Sequence, residues 1–313
     1  MSHSPVPFRR KMIGAVTRLF VRPFSRNKPP SKRVAIVIPM SSRTELTEEE
    51  RISKLQLERH LGGYDRFLLV PEGVTHDFEG YRNIEFPKRF FGSAANHGKL
   101  LGTRAFYRAF LDYEFVFFYH FDSLVFSDQL EEWCDRGIDY IGPPWVKCED
   151  SPWVTRPRVG NGGFTLLRVE AALKALTGRY VANPSFFWFD LFTAYAPAWF
   201  VKLLERIEWF WPARRLLREW REVHDPCAHN RNNDIFWSDK AVLYHPGFRV
   251  ASLEDGLRFA FEVSPRTCFE MNGRRMPFGC HAWGRYDKTF WQPHLVTTSG
   301  GGGGNRKEAA FRA

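Results

Sequence analysis

Short apolar runs alternate with amphipathic stretches over the first 145 residues. Val34-Ala-Ile-Val-Ile38 is a continuous, β-branched run closed by Pro39, the pattern of a strand buried on both faces. Thr47 followed by Glu48, Glu49 and Glu50 marks a helix start, with acids where the helix dipole favours them. That helix is expected to run to Leu61 and stop at Gly62-Gly63. Phe67 to Val70 predicts a second strand, Asn83 to Phe86 a weaker third, and Phe115-Val-Phe-Phe-Tyr119 the most apolar of all. Between them a helix is expected over 94–111; after them come a short helix over 128–135 and a strand at Tyr140-Ile141. Strand–helix–strand alternation predicts a doubly wound α/β fold, a mainly parallel sheet flanked by helices in a single domain.

Beyond Gly160 the pattern loosens. Residues 169–177 read as a helix, and 184–222 are rich in aromatics, with Trp188, Trp199, Trp209, Trp211 and Trp220. Phe200, Leu203, Leu204, Ile207 and Trp211 share one helical face, which suits a helix packed over the sheet better than a surface turned to membrane or acceptor. Gly300 to Gly304 reads as a linker to a polar tail, so 297–313 are expected to be flexible and 33–296 to form the domain.

Composition changes the picture at one end. The 313 residues carry a net charge of +10, but residues 1–33 hold nine basic and no acidic side chains, leaving 36 basic against 35 acidic in the remainder. A nucleic-acid-binding fold would spread that charge over the folded domain, so no nucleic-acid partner is expected. In the tail, 1–32, Phe8, Met12, Ile13, Val16, Leu19, Phe20 and Phe24 recur at helical spacing between Arg and Lys. Three readings stay open for it: peripheral contact with an anionic membrane, a targeting segment, or a leader with no specific role. Five widely spaced cysteines with no C-x-x-C pair suggest a reducing compartment, and no run of apolar residues reaches the length of a membrane span. The expected location is the cytoplasm or the membrane surface facing it.

Four segments carry candidate chemistry. His120-Phe-Asp122-Ser123 follows the most apolar strand, where ligands bind in open parallel sheets. A carboxylate there approaches a nucleoside diphosphate through a divalent cation, which makes Asp122 a candidate ligand for Mn²⁺ or Mg²⁺; the simpler reading is a turn. Gly160-Asn161-Gly162-Gly163-Phe164 lets backbone come close to a ligand, but lacks the ending of a phosphate-binding P-loop. Asp234, in Asn232-Asn233-Asp234-Ile-Phe-Trp237, suits a general base or a helix N-cap. His281, in Phe278-Gly-Cys-His-Ala-Trp283, suits a second metal ligand or a buried structural histidine.

Together these segments resemble a glycosyltransferase-like family described mostly as a domain of unknown function, within the GT-A nucleotide-sugar-transferase class. The resemblance spans roughly residues 60–290. It rests on Phe106-Tyr107, Asp122 with Val125-Phe126, Tyr140-Ile-Gly142 with Pro144-Trp145, and Gly160 to Phe164. Asn233-Asp234 with Phe236-Trp237, Phe259-Ala-Phe-Glu262 and Phe278-Gly-Cys-His281 complete it. It implies a nucleotide-sugar donor, a divalent cation held by Asp122 and His281, and Asp234 as the base of an inverting transfer. His120 takes the first position of the Asp-x-Asp motif, where an acid or amide is expected, and Asn233 stands where an acid often precedes the base. Gly162 and Gly163, with Asn161, Trp145 and Asn233, would line the donor and acceptor site; Pro39, Ser41 and Arg43 would hold the nucleotide by analogy of fold. The acceptor, whether glycan, lipid-linked or protein, stays open. A non-catalytic sugar- or partner-binding relative is the alternative. A nucleotidyltransferase is disfavoured because Pro39-Met-Ser-Ser-Arg-Thr44 lacks its glycine-rich, basic signature.

Overall fold

The computed structural model describes residues 24–40, 43, 45–149, 151–152, 154–177 and 233–296. The tail before Phe24, Ser41, the aromatic stretch 184–222 and the glycine-rich end all lie outside them. Phe24 is already docked, its N–H donating to Thr177 Oγ1 at 2.9 Å, and Arg26 donates to the Leu111 carbonyl at 2.9 Å.

Six strands form the main sheet: β1 (Lys32–Pro39), β2 (Asp65–Pro71), β3 (Tyr81–Phe86), β4 (Tyr113–Tyr119), β6 (Tyr140–Ile141) and β9 (Phe164–Arg168). Their order is β3-β2-β1-β4-β9-β6, parallel from β3 to β4 and antiparallel from β4 to β6. The chain runs outward from β1 in one direction through β2 and β3, then returns to β4 on its other flank. That reversal opens a crevice beyond the carboxyl ends of β1 and β4.

β4 is apolar from Phe115 to Tyr119 because both its faces are covered there. Phe115, Phe117 and Tyr119 join Trp133, Phe164, Phe259 and Phe278 on one side; Val116 and Phe118 join Phe106, Phe110 and Leu173 on the other. Helix α1 (Glu48–Leu61) begins with a capping box: the Glu50 N–H donates to Thr47 Oγ1, and the Thr47 N–H to the Glu50 carboxylate. The helix expected over 94–111 is two, α2 (Ala94–Leu101) and α3 (Arg104–Arg108). Gly102 closes the first, and Thr103 caps the second by accepting from the Phe106 N–H. Then follow α4 (Leu130–Asp135), α5 (Val169–Thr177), α6 (Asn233–Ile235), a π-helical turn over Phe236–Lys240, α7 (Ala241–Tyr244), α8 (Leu253–Phe259), α9 (Pro265–Met271) and α10 (Lys288–Trp291).

A second, three-stranded sheet sits at the end of the first. In it β11 (Gly279–Cys280) lies between β10 (Ala260–Phe261), parallel to it, and β5 (Leu124–Val125), antiparallel. A hairpin of β7 (Pro144–Trp145) and β8 (Arg158–Val159) completes the strands. Among the described residues no helix is long and apolar enough to cross a membrane, and Cys134, Cys148, Cys268 and Cys280 are free thiols.

Asp139 ties the second half of the chain to the sheet. Its buried carboxylate accepts from Arg168 Nε at 3.0 Å and from the Arg249 N–H at 2.9 Å. Removing it takes the acceptor from the Arg249 N–H and from Arg168 Nε, leaving the half-buried guanidinium with Glu114 alone. Asp139→Ala is therefore expected to cost about 3 kcal/mol, read as a lower midpoint in urea unfolding with unchanged slope.

Candidate active site

Two strand pairings build the site. β4 and β9 pair so that Tyr119 lies across from Phe164, which sets the turn before β9 against the residues leaving β4. The His120 N–H donates to the Gly163 carbonyl at 3.0 Å and Ser123 Oγ to the same oxygen at 3.3 Å. In the small sheet Phe261 lies across from Cys280, and Cys280 across from Leu124. Glu262, His281 and Asp122 consequently leave three neighbouring strands at the same end. Backbone bonds hold them there: the His281 N–H donates to the Phe261 carbonyl at 2.9 Å and the Trp283 N–H to that of Asp122 at 3.0 Å.

The side chains then converge. One ligand atom from each of His120, Asp122 and His281 falls within 4.8 Å of the others. His281 bridges two carboxylates, with Nε2 3.3 Å from Asp122 Oδ1 and Nδ1 2.9 Å from Glu262 Oε1. Asn161 Nδ2 donates to the same Glu262 oxygen at 2.8 Å, while its Oδ1 accepts the Gly163 N–H at 2.8 Å. Asp234 lies over the turn and accepts a hydrogen bond from the Gly162 backbone.

The two glycines have separate reasons to be there. A Cβ on Gly162 would overlap the Asp234 carboxylate, and one on Gly163 would overlap the His281 ring. The turn is bare so that a carboxylate and an imidazole can come down on it. Trp145 lies beneath, its ring filling the space a Cβ would take at Gly160, and Tyr140 Oη donates to the Gly160 carbonyl at 2.8 Å.

Charge in the site is strongly ordered. Burial opposes a charge on His281, yet its bonds to Asp122 and Glu262 prevail and raise it to about 10. Asp122 is half exposed; against its partial burial, His281 and then His120 hold its carboxyl well below the usual range. Burial, with His281 close by, pushes His120 down to about 3, and burial alone pushes His97 down to about 4. Burial and then Glu262 raise Asp234 to about 7, against the pull of His281 and the Gly162 bond. His281 with Asp122 is thus an ion pair, His97 and His120 are neutral rings, and Asp234 is a carboxylate with the proton affinity of a base working near neutrality.

Of the residues expected at the site, His120, Asp122, Asn161, Gly162, Gly163, Asp234 and His281 come together. Trp145 supports the turn from below. The Asn233 side chain lies against Gly98 of α2. Pro39 ends β1 at the crevice, and exposed Arg43 pairs with Glu50 of the α1 cap at 2.6 Å. Ser41 lies outside the described residues.

Two residues were not anticipated. Glu262 closes the Phe259–Glu262 segment, an acid directly after three apolar residues, and that was its signal. His97 had none. It sits in α2 with its ring 5.8 Å from that of His120, which is in turn 5.5 Å from that of His281. Both His97 ring nitrogens are buried and have no hydrogen-bond partner among the described residues.

A neutral imidazole, an ionised carboxylate and, once His281 gives up its Nε2 proton to an incoming cation, a second imidazole make a mixed nitrogen–oxygen donor set. It fits a divalent cation, and the two nitrogens favour Mn²⁺ over Mg²⁺, which keeps to oxygen ligands.

The sequence matches, over residues 80–281, the family described as "Protein of unknown function (DUF5672)", and the chain belongs to it. Comparison with curated proteins gives no match. Among solved structures, the apo-form glycosyltransferase GlyE of Streptococcus pneumoniae TIGR4 is similar at 13% identity and a TM-score of 0.39, over 85% of this chain and 61% of that one. This chain therefore spans about three-fifths of that enzyme. A glycosyltransferase involved in glycosylation of the major capsid of PBCV-1 is similar at 11% identity and TM-score 0.37, over 84% and 98% of the two chains. The galactosyltransferase LgtC, in complex with donor and acceptor sugar analogs, is similar at 12% identity and TM-score 0.39, over 85% and 97%.

Gly163→Ala is expected to displace His281 and abolish Mn²⁺ binding. Gly162→Ala is expected to displace Asp234 and leave Mn²⁺ affinity near wild type. Titration of the metal on both variants separates the two halves of the turn.

His97 stays neutral in the fold down to about pH 4, while an unfolded histidine takes up a proton near 6.5. Below 6.5 the unfolded state binds the extra proton, so this group's contribution is intact above 6.5 and stability falls as pH drops toward 4. Urea midpoints of the wild type are expected to fall more steeply between pH 6.5 and 4.5 than those of His97→Gln. Equal slopes would show that His97 is already charged in the fold.

Proposed function

We propose that this protein is a divalent-metal-dependent glycosyltransferase that moves a sugar from a nucleotide-sugar donor to an acceptor hydroxyl with inversion. The observation that carries the reading is the meeting, at the carboxyl end of β4, of a metal-ligand triad with a half-buried carboxylate across a glycine turn. His120, Asp122 and His281 would hold the cation. When bound, it supplies positive charge to the diphosphate of the donor and stabilises it as a leaving group.

The remaining chemistry belongs to the chain. Asp234 takes the proton of the acceptor hydroxyl at its carboxylate. The hydroxyl oxygen bonds to the anomeric carbon as the bond from that carbon to the diphosphate oxygen breaks, and the nucleoside diphosphate leaves with the electron pair. A carboxyl raised to about 7 holds that proton well enough to take it and is still substantially ionised at neutral pH. Burial supplies that affinity, and the Gly162 bond aims the carboxylate.

Thermal shift with a panel of nucleoside diphosphates, with and without Mn²⁺, tests the reading on wild type, Asp122→Ala and Asp234→Asn. One nucleotide is expected to stabilise the wild type only with Mn²⁺, and to fail on Asp122→Ala. Asp234→Asn is expected to keep that shift while hydrolysis or transfer of the matching nucleotide-sugar falls by a factor of ~10²–10⁴. No shift with any nucleotide would leave a non-catalytic binder of the same fold, and full activity in Asp234→Asn would remove the base.

A further inference from the structure

Glu262 is a buried acid that is neither a member of the metal triad nor the group that takes the proton. Its side chain is 10% exposed, and a buried carboxylate is costly unless its oxygens are satisfied. Both groups that satisfy it belong to the site. His281 Nδ1 lies 2.9 Å from Oε1, and Asn161 Nδ2 donates to the same atom at 2.8 Å.

Orientation along this chain admits one assignment. The Asn161 amide cannot be reversed, because its Oδ1 accepts the Gly163 N–H at 2.8 Å; the NH₂ must therefore face Glu262. Thr165 Oγ1 donates to the Asn161 carbonyl at 2.7 Å and fixes its backbone as well. An ionised carboxylate only accepts, so the His281 nitrogen facing it must carry a hydrogen. With the hydrogen on Nδ1, the lone pair of a neutral His281 lies on Nε2, the nitrogen turned to Asp122 and Gly163.

We propose that Glu262 is the positioning residue of the metal site, locking His281 with its hydrogen on Nδ1 and its Nε2 lone pair aimed at the cation, and that Asn161 holds Glu262 for that task. The proposal rests on the reading of His120, Asp122 and His281 as metal ligands. A histidine ligand whose far nitrogen donates to a carboxylate is both aimed and made more basic, and loss of such a partner weakens metal binding by ~10–100-fold. The fold supports the same division of labour. Parallel pairing of β10 with β11 puts Phe261 across from Cys280, so the positioning residue and the ligand emerge side by side whatever their side chains. Through Asn161, the glycine turn that makes room for His281 also orients the acid behind it. Gly163, Asn161, Glu262 and His281 thus form a closed circuit around one ring.

Mn²⁺ binding, followed by electron paramagnetic resonance of the free ion, tests this on the full chain. Wild type, Asp122→Ala, Glu262→Ala, Glu262→Gln and Asn161→Ala are titrated, and the melting temperature of each is taken without metal. Glu262→Ala is expected to raise the Kd for Mn²⁺ 10–100-fold. Glu262→Gln keeps an acceptor for the Nδ1 hydrogen but loses the charge, so it should fall between Ala and wild type. Asn161→Ala should weaken Mn²⁺ binding less than Glu262→Ala, since the carboxylate remains. The role is rejected if wild type binds Mn²⁺ through Asp122 while Glu262→Ala binds it equally well. It is also rejected if Gln is as poor as Ala and both have lost the folded transition, since Glu262 would then be holding the fold. If wild type itself shows no binding that depends on Asp122, the metal site fails first and the functional reading with it.

Discussion

The antiparallel seam between β4 and β9 is the constraint on which the rest depends. Parallel strands alone would send every carboxyl end into one crevice and leave backbone from elsewhere to reach it by loops. By running β9 backwards against β4, the chain brings the start of one strand to the end of the other, Phe164 across from Tyr119. The turn before β9 is then part of the crevice wall. It is pinned by the His120 and Ser123 donors to Gly163, not by crevice contents. A rigid turn in that place can be stripped of side chains without collapsing.

That bareness organises the electrostatics. Space over Gly162 takes a carboxylate, and space over Gly163 takes an imidazole. The carboxylate, beside Glu262 and away from water, holds its proton more tightly than an ordinary acid. The imidazole, between two acids, keeps its charge despite burial. Two titratable groups over neighbouring residues of one turn are pushed in opposite senses by their neighbours. His97 and His120 are neutral beside them, so the excess positive charge is confined to His281.

Much of the frame was legible in the chain. The Val34–Ile38 and Phe115–Tyr119 runs, the acidic start of α1 and the alternation of elements all report local periodicity and propensity, which need no tertiary partner. Helix 94–111 was less so: it carries apolar residues at helical spacing throughout, and only the use of Thr103 as a cap divides it. His120, Asp122, the glycine turn, Asp234 and His281 stood out by residue type and by place after a strand or before an apolar run. Asn233 did too, and its side chain lies against Gly98 of α2.

By itself the sequence determined the class of fold and singled out a short set of polar residues that follow its strands or precede its apolar runs. Tertiary structure decided which of those residues meet, and recruited Glu262 and His97 besides. β10, β11 and β5 are two residues long, too short to show any periodicity, and the pairing of β5 with β11 joins segments more than a hundred residues apart. Residues brought together by strand register leave no trace in the spacing of the chain, because register is set by hydrogen bonds between backbones that are alike at every position.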